Sequence, residues 1–471
     1  MQVFGYSSPR FSPYDDDSAD HAATTDDDEG PWRAPRATGP LDARLTLPGS
    51  KSLTNRELVL AALADGPSLL RRPLHSRDSA LMIAALRALG VGVEEVPGDG
   101  AYGPDLRVTP AAELTGSTSI DVGLAGTVMR FLPPVAALAL GPVAFDGDDA
   151  ARRRPMRTTI DSLRALGVDV NDDGRGALPF SLWGSGAVRG GEVAIDASAS
   201  SQFVSGLLLA APRLTEGLTL RHTGERLPSM PHIEMTIAAL AARGVTVSSP
   251  DEGVWVVEPG PIAARDVDIE PDLSNAAPFL IAAVVAGGTV AIEGWPESTT
   301  QVGADLIEIL PRFGATVRRD GDALVVDGGE GLLGGRPMAG IELDLSRGGE
   351  LAPALVALAA LADSPSRITG IEHLRGHETD RLAALADDLT RVGGAATELD
   401  DGISLEPRTL HGADWGAFED HRMAHAGAII GLAVDGVDID DIRATSKTLP
   451  EFPELWWRLV ASTRAPGPAP A

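Results

Sequence analysis

The chain contains no cysteine. Disulfides, thiolate metal sites and cysteine nucleophiles are excluded together. Aromatic residues are scarce, 4% of 471, so the cores must be built mostly from aliphatic side chains. No apolar run approaches the roughly 20 residues of a spanning helix, and the N-terminus lacks a basic-then-apolar signal. The expectation is a cytoplasmic protein with no membrane partner. Positive charge is also in deficit: 39 Lys and Arg face 67 Asp and Glu, a formal charge of −28. Nucleic-acid binding through bulk charge is excluded. Small anions are not, because screening over about 8 Å lets a local cluster of cations decide what a cleft binds.

What is present is length enough for roughly two to three domains and an apolar fraction of 44%. Residues 1 to about 38, most of them in "YDDDSADHAATTDDDEGPWRAPRAT", are acidic, small and without period. Such a stretch cannot bury enough apolar surface to offset its ordering entropy. A disordered tail is expected there and again at 461–471, with deletion of 1–36 having little effect.

Between the tails, two helical patterns alternate. "MIAALRALGVGVEEV", "TIDSLRALGVDVNDD", "TIAALAARGVTVSS", "LIEILPRFGATVRRD" and "LAALADDLTRVGGAATEL" are amphipathic helices, each followed by a strand. They stop at Gly90, Gly167, Gly244, Gly314 and Gly393, where a positive φ carries little steric cost. "PEFPELWWRLVAS" is a sixth with no strand after it. The second pattern also recurs six times, as in "GSKSLTNRELVLAALADGPSLL" and "DHRMAHAGAIIGLAVDGVDI": a small or polar start, then a run apolar on all sides. A helix apolar all round is a buried helix. The spacing predicts an α/β protein of six repeated units, three in each of two domains, crossing near "EPGPIAARDVDIE".

A buried helix start carries unsatisfied N–H groups and partial positive charge, worth about 0.3–1 kcal/mol to an anion. Ser, Thr and Asp at these starts suit ordinary capping, and Thr54 with Glu57 fits a capping box. Cations beside the starts point further: Lys51, Arg56, Arg130, Arg347 and Arg422, with Arg152–Arg154, Arg381 and Lys447 in loops. An acidic protein that gathers cations at loop-to-helix junctions binds phosphate or carboxylate there. It is not a P-loop, because Ser50 separates Gly49 from Lys51.

Read in order, "LPGSKSLTNR", "LAGTVMRF", "RRRPM", "ASASSQF", "LPSMPHIEMT", "RGHETDRL", "DHRMA" and "SKTLPEFP" resemble the 5-enolpyruvylshikimate-3-phosphate synthase family from about Leu45 to Leu459. The resemblance implies an inside-out α/β barrel in two domains, 49–265 and 39–48 plus 266–460, the buried helices aiming their N-termini at an interdomain cleft. It implies a monomer that needs no cofactor or metal. The reaction moves the enolpyruvyl group of phosphoenolpyruvate to the 5-hydroxyl of shikimate 3-phosphate and is inhibited by glyphosate. By matching motifs, Lys51, Ser52, Arg56, Ser200, Ser201, Gln202, Ser229, Glu350 and His377 would hold shikimate 3-phosphate. Lys51, Gly126, Arg154, Gln202, Arg381, Arg422 and Lys447 would hold phosphoenolpyruvate. Glu350 stands where the family commonly has an Asp base; Lys51 and Glu378 are the proton-transfer candidates at the methylene carbon. His232 and His377 replace a commoner Tyr and Lys, and His425 has no assigned role. The UDP-N-acetylglucosamine enolpyruvyl transferases share the fold but usually use a cysteine acid, absent here. A binding protein without catalysis would need neither Glu350 nor Glu378.

Overall fold

Six buried helices run at Lys51–Ala62, Gly126–Ala136, Gln202–Ala210, Leu273–Ala286, Ala352–Ala359 and His421–Ala433. A computed structural model of the protein describes residues 30–463; residues 1–29 and 464–471 of the expected tails lie outside the described residues. Every residue of Leu273–Ala286 is buried, as a helix apolar on all sides requires. Amphipathic helices follow at Arg77–Ala88, Arg157–Ala165, Met230–Ala242, Leu306–Arg312, Arg381–Arg391 and Phe452–Ala461. The first five end at the expected glycines, whose φ angles lie between 80° and 92°.

The strands repeat with the helices. Thr118–Asp121 runs parallel to Leu140–Asp146, which pairs antiparallel with Phe180–Ser185, itself antiparallel to Asp169–Asn171. Four other four-stranded sheets have the same order. In each, the outer parallel strand is the one that feeds a buried helix. Two of these strands are exchanged between halves. Leu41–Leu45 precedes the helix at Lys51 yet pairs with Gly288–Ile292; Val267–Asp268 precedes the helix at Leu273 yet pairs with Leu70–Arg71. The first exchange was expected. The second gives the first half the outer strand that completes its sheet, Val267–Asp268.

The N-terminal boundary also shifts. Trp32–Arg33 pairs antiparallel with Asp438–Ile439 and completes a three-stranded sixth sheet. Ala34 and Ala37 are buried, and their N–H groups donate to Val437 and Leu432. The end of the acidic stretch is therefore structured, because the sixth unit has an open edge that it closes. At the other end, Ala461 belongs to the last helix and the Ser462 carbonyl accepts from the N–H of Asp42.

Buried apolar side chains form two cores. One draws on residues from Leu58 to Ile262; the other on Ala34 to Leu47 and Leu273 to Leu459. The two crossing segments lie side by side, Ser50 N–H donating to Glu270 and Asp272 N–H to Pro48. A Cβ on Gly49 would sit 2.4 Å from the Arg72 carbonyl oxygen, so only glycine passes here.

Candidate active site

The six buried helices start around one cavity. Lys51, Gly126, Gln202, Ser274, Glu350 and Arg422 come from the six starts and all line it. Glu350 lies in the single 3₁₀ turn Gly349–Leu351 that leads into Ala352–Ala359. In the first half, the N-cap residues Ser50, Ala125 and Ser201 make no side-chain cap bond; Asp272 accepts instead from the N–H of Lys51 at 3.1 Å and Ser200 from that of Gln202 at 3.2 Å. In the second half, Asp272 and Asp420 cap their own helices. The expected Thr54–Glu57 capping box does not form. Ser50 is the N-cap, Thr54 accepts from Leu74 N–H, and Glu57 pairs with the buried Arg243 at 2.7 Å.

Cations outnumber carboxylates on this lining although the chain is acidic: Lys51, Arg130, Arg154, Arg381 and Arg422 against Asp272, Glu350 and Glu378. Arg381 is held by Asp420 through two bonds of 2.7 and 3.1 Å and by Glu378 at 3.0 Å. Glu378 also pairs with Lys447. Burial pushes the Glu378 carboxyl up, but Lys447, Arg381 and Arg154 together hold it well below the usual carboxylate range. Burial also pushes Glu350 up, and His232, Arg422 and Lys51 outweigh it, so Glu350 too is ionised.

Arg130 and Arg154 have no such partners. Each keeps a buried Nε without a hydrogen-bond acceptor, and so does the side-chain oxygen of Gln202. Their ends converge over Gly126: a Cβ there would lie 3.0 to 3.2 Å from Gln202 Oε1, Arg130 and Arg154. Two neighbouring guanidinium groups with unused donors cost free energy unless an anion completes them. This corner is built to receive a carboxylate or phosphate.

The sequence profile of the EPSP synthase (3-phosphoshikimate 1-carboxyvinyltransferase) family matches residues 35–456. The chain belongs to the EPSP synthase family. A 3-phosphoshikimate 1-carboxyvinyltransferase of Kocuria rhizophila is 57% identical over 436 residues, covering 92% of this chain and 97% of that protein. An EPSP synthase structure from Acinetobacter baumannii aligns with a TM-score of 0.72 at 25% identity, over 90% of this chain and 97% of that one. The enolpyruvyl transferase NikO of Streptomyces tendae shares the fold, with a TM-score of 0.69 at 18% identity over 90% of this chain and 96% of its own.

Of the site residues expected from the EPSP synthase motifs, Lys51, Ser52, Gly126, Arg154, Ser200, Ser201, Gln202, Ser229, Glu350, His377, Glu378, Arg381 and Arg422 line the cavity. Arg56 and Lys447 do not. Arg56 stands behind the wall, donating to Thr236, the Ser52 and His232 carbonyls and Ser205. Burial pushes its pKa down to about 9, with Glu350 pulling the other way. The Lys447 ammonium is taken by Glu378 and by the Leu124 carbonyl at 3.2 Å. Either would reach substrate only by exchanging these bonds for substrate oxygens.

Thr127, Arg130, Asp272, Asn275, His373 and His421 also line the cavity without having been assigned there from sequence. Arg130 was visible as a cation one turn into a buried helix; His373 carried no local signal. His425 lies outside the lining. It is buried against Phe452 with ring centroids 4.3 Å apart, and burial pushes its pKa well down, so it packs as a neutral ring.

Proposed function

We propose a division of labour at this cavity for the enolpyruvyl transfer of the shikimate pathway. The protein moves the enolpyruvyl group of phosphoenolpyruvate to the 5-hydroxyl of shikimate 3-phosphate and releases phosphate. Ser52, Ser200, Ser201, Gln202 and Ser229 hold shikimate 3-phosphate on the first half, with Lys51 between the two substrates and Glu350 and His377 facing from the second. Ser229 supports this reading: it adopts a left-handed conformation, φ 54°, which costs a non-glycine residue about 1–3 kcal/mol and is kept where function needs it. Phosphoenolpyruvate lies over Gly126, between Gln202 and Arg154 on one side and Arg381 and Arg422 on the other. Arg56 reaches shikimate 3-phosphate and Lys447 reaches phosphoenolpyruvate by exchanging their present bonds for substrate oxygens.

The addition step needs a base at the 5-hydroxyl and an acid at the methylene carbon. Glu350 is anionic and stands on the rim between halves, so it takes the hydroxyl proton. Lys51 brings a proton to the methylene. Glu378 has none to give while it is locked between Arg381 and Lys447, where it serves as their counter-charge. Elimination of phosphate then reverses the methylene transfer. Each positioned transfer is worth about 10²–10⁴-fold.

The observation that carries this reading is the meeting of six helix starts and five lining cations around two ionised glutamates, Glu350 and Glu378. We take the enzyme to act as a monomer. Among the described residues no helix is long and apolar enough to cross a membrane, and we place the enzyme in the cytoplasm, where phosphorylated substrates are made and kept. Phosphate release from phosphoenolpyruvate should depend strictly on added shikimate 3-phosphate. Release without it, or with UDP-N-acetylglucosamine in its place, would overturn the assignment.

A further inference from the structure

His232 lies opposite Glu350. Its Nε2 is 3.4 Å from Glu350 Oε2, and both side chains are about one-fifth exposed, 18% and 20%. The two residues come from different halves of the molecule: His232 from the first turn of Met230–Ala242, Glu350 from the turn Gly349–Leu351.

The backbone that carries His232 is fixed on both sides. Ser229 N–H donates across the cleft to the Ser346 carbonyl at 3.1 Å, four residues before Glu350. The His232 carbonyl accepts from Arg56 at 2.9 Å, from Ser205 at 3.3 Å and from Thr236 at 2.9 Å. Little besides its side-chain torsions remains free. Arg422 approaches the same Glu350 oxygen, Oε2, at 3.5 Å. Both contacts therefore fall on one carboxylate oxygen, which leaves Oε1 to face the reacting hydroxyl. Other charges near Glu350 are Lys51 and Arg56 from the helix at Lys51 and Arg381 from the second half. His373 packs under Gly349, where a Cβ would meet its ring at 2.5 Å.

We propose that His232 is a positioning residue for the general base: bringing the two halves together sets its imidazole against Oε2 of Glu350 and turns Oε1 toward the substrate hydroxyl. This rests on the reading of Glu350 as the base. A glutamate reaches one methylene further than an aspartate and has one more torsion to fix, so a partner on the opposite wall compensates for the added freedom. The base is then correctly aimed only in the closed arrangement, which ties proton removal to closure over both substrates.

A double-mutant cycle tests this on the full-length enzyme. His232→Leu should lower kcat by about 10- to 100-fold with the KM for shikimate 3-phosphate within about threefold, while His232→Gln, which restores a donor, should recover most of the loss. In the Glu350→Gln background, His232→Leu should change kcat by less than about threefold, because no base remains to be aimed. An equal loss in both backgrounds, or no loss in the Glu350 enzyme, would overturn the role of His232 while leaving Glu350 as base. Near-normal turnover in Glu350→Gln alone would remove the base assignment and the inference with it. The melting temperature of His232→Leu separates misfolding from misaiming.

Discussion

Arg154 and Lys447 donate to the same carbonyl oxygen, that of Leu124, at 3.1 and 3.2 Å. The two cations come from opposite halves of the protein, so one neutral oxygen joins like charges across the cleft. Their repulsion is offset by Glu378, which pairs with Lys447 and lowers its own pKa partly through Arg154. A phosphate or carboxylate bound beside the two cations offsets their repulsion further.

Lys447→Met should therefore raise the KM for phosphoenolpyruvate by roughly tenfold or more and leave that for shikimate 3-phosphate within about threefold, since charged hydrogen bonds contribute ~1.5–3 kcal/mol. Steady-state kinetics with each substrate varied in turn decides it. An equal rise for both substrates would show that the residue holds the whole cleft rather than one ligand.

Glu350→Gln should lower turnover by roughly 10²–10⁴-fold with shikimate 3-phosphate still binding within about tenfold. The amide keeps the size of the side chain but accepts no proton. A glutamate serving only its helix start would cost no more than about 1 kcal/mol of stability and leave turnover nearly intact. Kinetics and a melting curve on one preparation separate the two.

Glyphosate should inhibit the unmodified enzyme in competition with phosphoenolpyruvate. Gly126→Ala should weaken the inhibitor more than the substrate, because the added methyl meets Gln202, Arg130 and Arg154 within 3.0–3.2 Å and crowds the longer ligand. Equal weakening of both, measured as Ki against KM, contradicts the steric account.

Stability should fall between pH 6.5 and 4. Burial, with Arg381 and His232, pushes the His373 pKa down to about 4, and burial pushes His377, His421 and His425 well down as well. The unfolded chain binds these protons near the ordinary histidine value of about 6.5 and the fold does not. Their contribution is thus complete above pH 6.5 and is lost as pH drops toward the folded values. Glu350 and Glu378, held low in the fold, lose their contribution only below the ordinary carboxylate range. His373 alone accounts for about 3 kcal/mol across that window. His373→Leu should flatten the melting temperature between pH 7 and 5; an unchanged slope would mean that His373 does not carry this dependence.

Truncation to residue 36 should be destabilising where truncation to residue 29 is not. The added cut removes the pairing of Trp32–Arg33 with Asp438–Ile439, the ring contact of Trp32 with Trp457 at 6.4 Å, and buried Ala34. A loss of at least about 1 kcal/mol follows from the apolar area alone. Identical melting curves for the two truncations would mean that the edge strand contributes nothing.

Sequence alone determined the six-unit rhythm, because a helix apolar on all sides and a glycine that must take a positive φ are local demands. It also determined the residues that begin the buried helices, since a start such as "GSKS" or "DHR" places its cation within one turn of free N–H groups. Tertiary structure alone decided which partners meet. The strands at 41–45 and 267–268 read alike as strands, and only pairing showed that each crosses to the other half. Trp32–Arg33 looked like tail, since its partner edge lies more than 400 residues away. Arg56 and Lys447 read as ligands in the sequence, and only the fold showed the internal acceptors that each already has. His232 and Glu350 are separated by more than a hundred residues and by a domain boundary, and no local pattern encodes a distance of 3.4 Å between them. Short-range propensity writes the elements; long-range packing, which depends on the whole chain at once, writes the contacts that aim a proton.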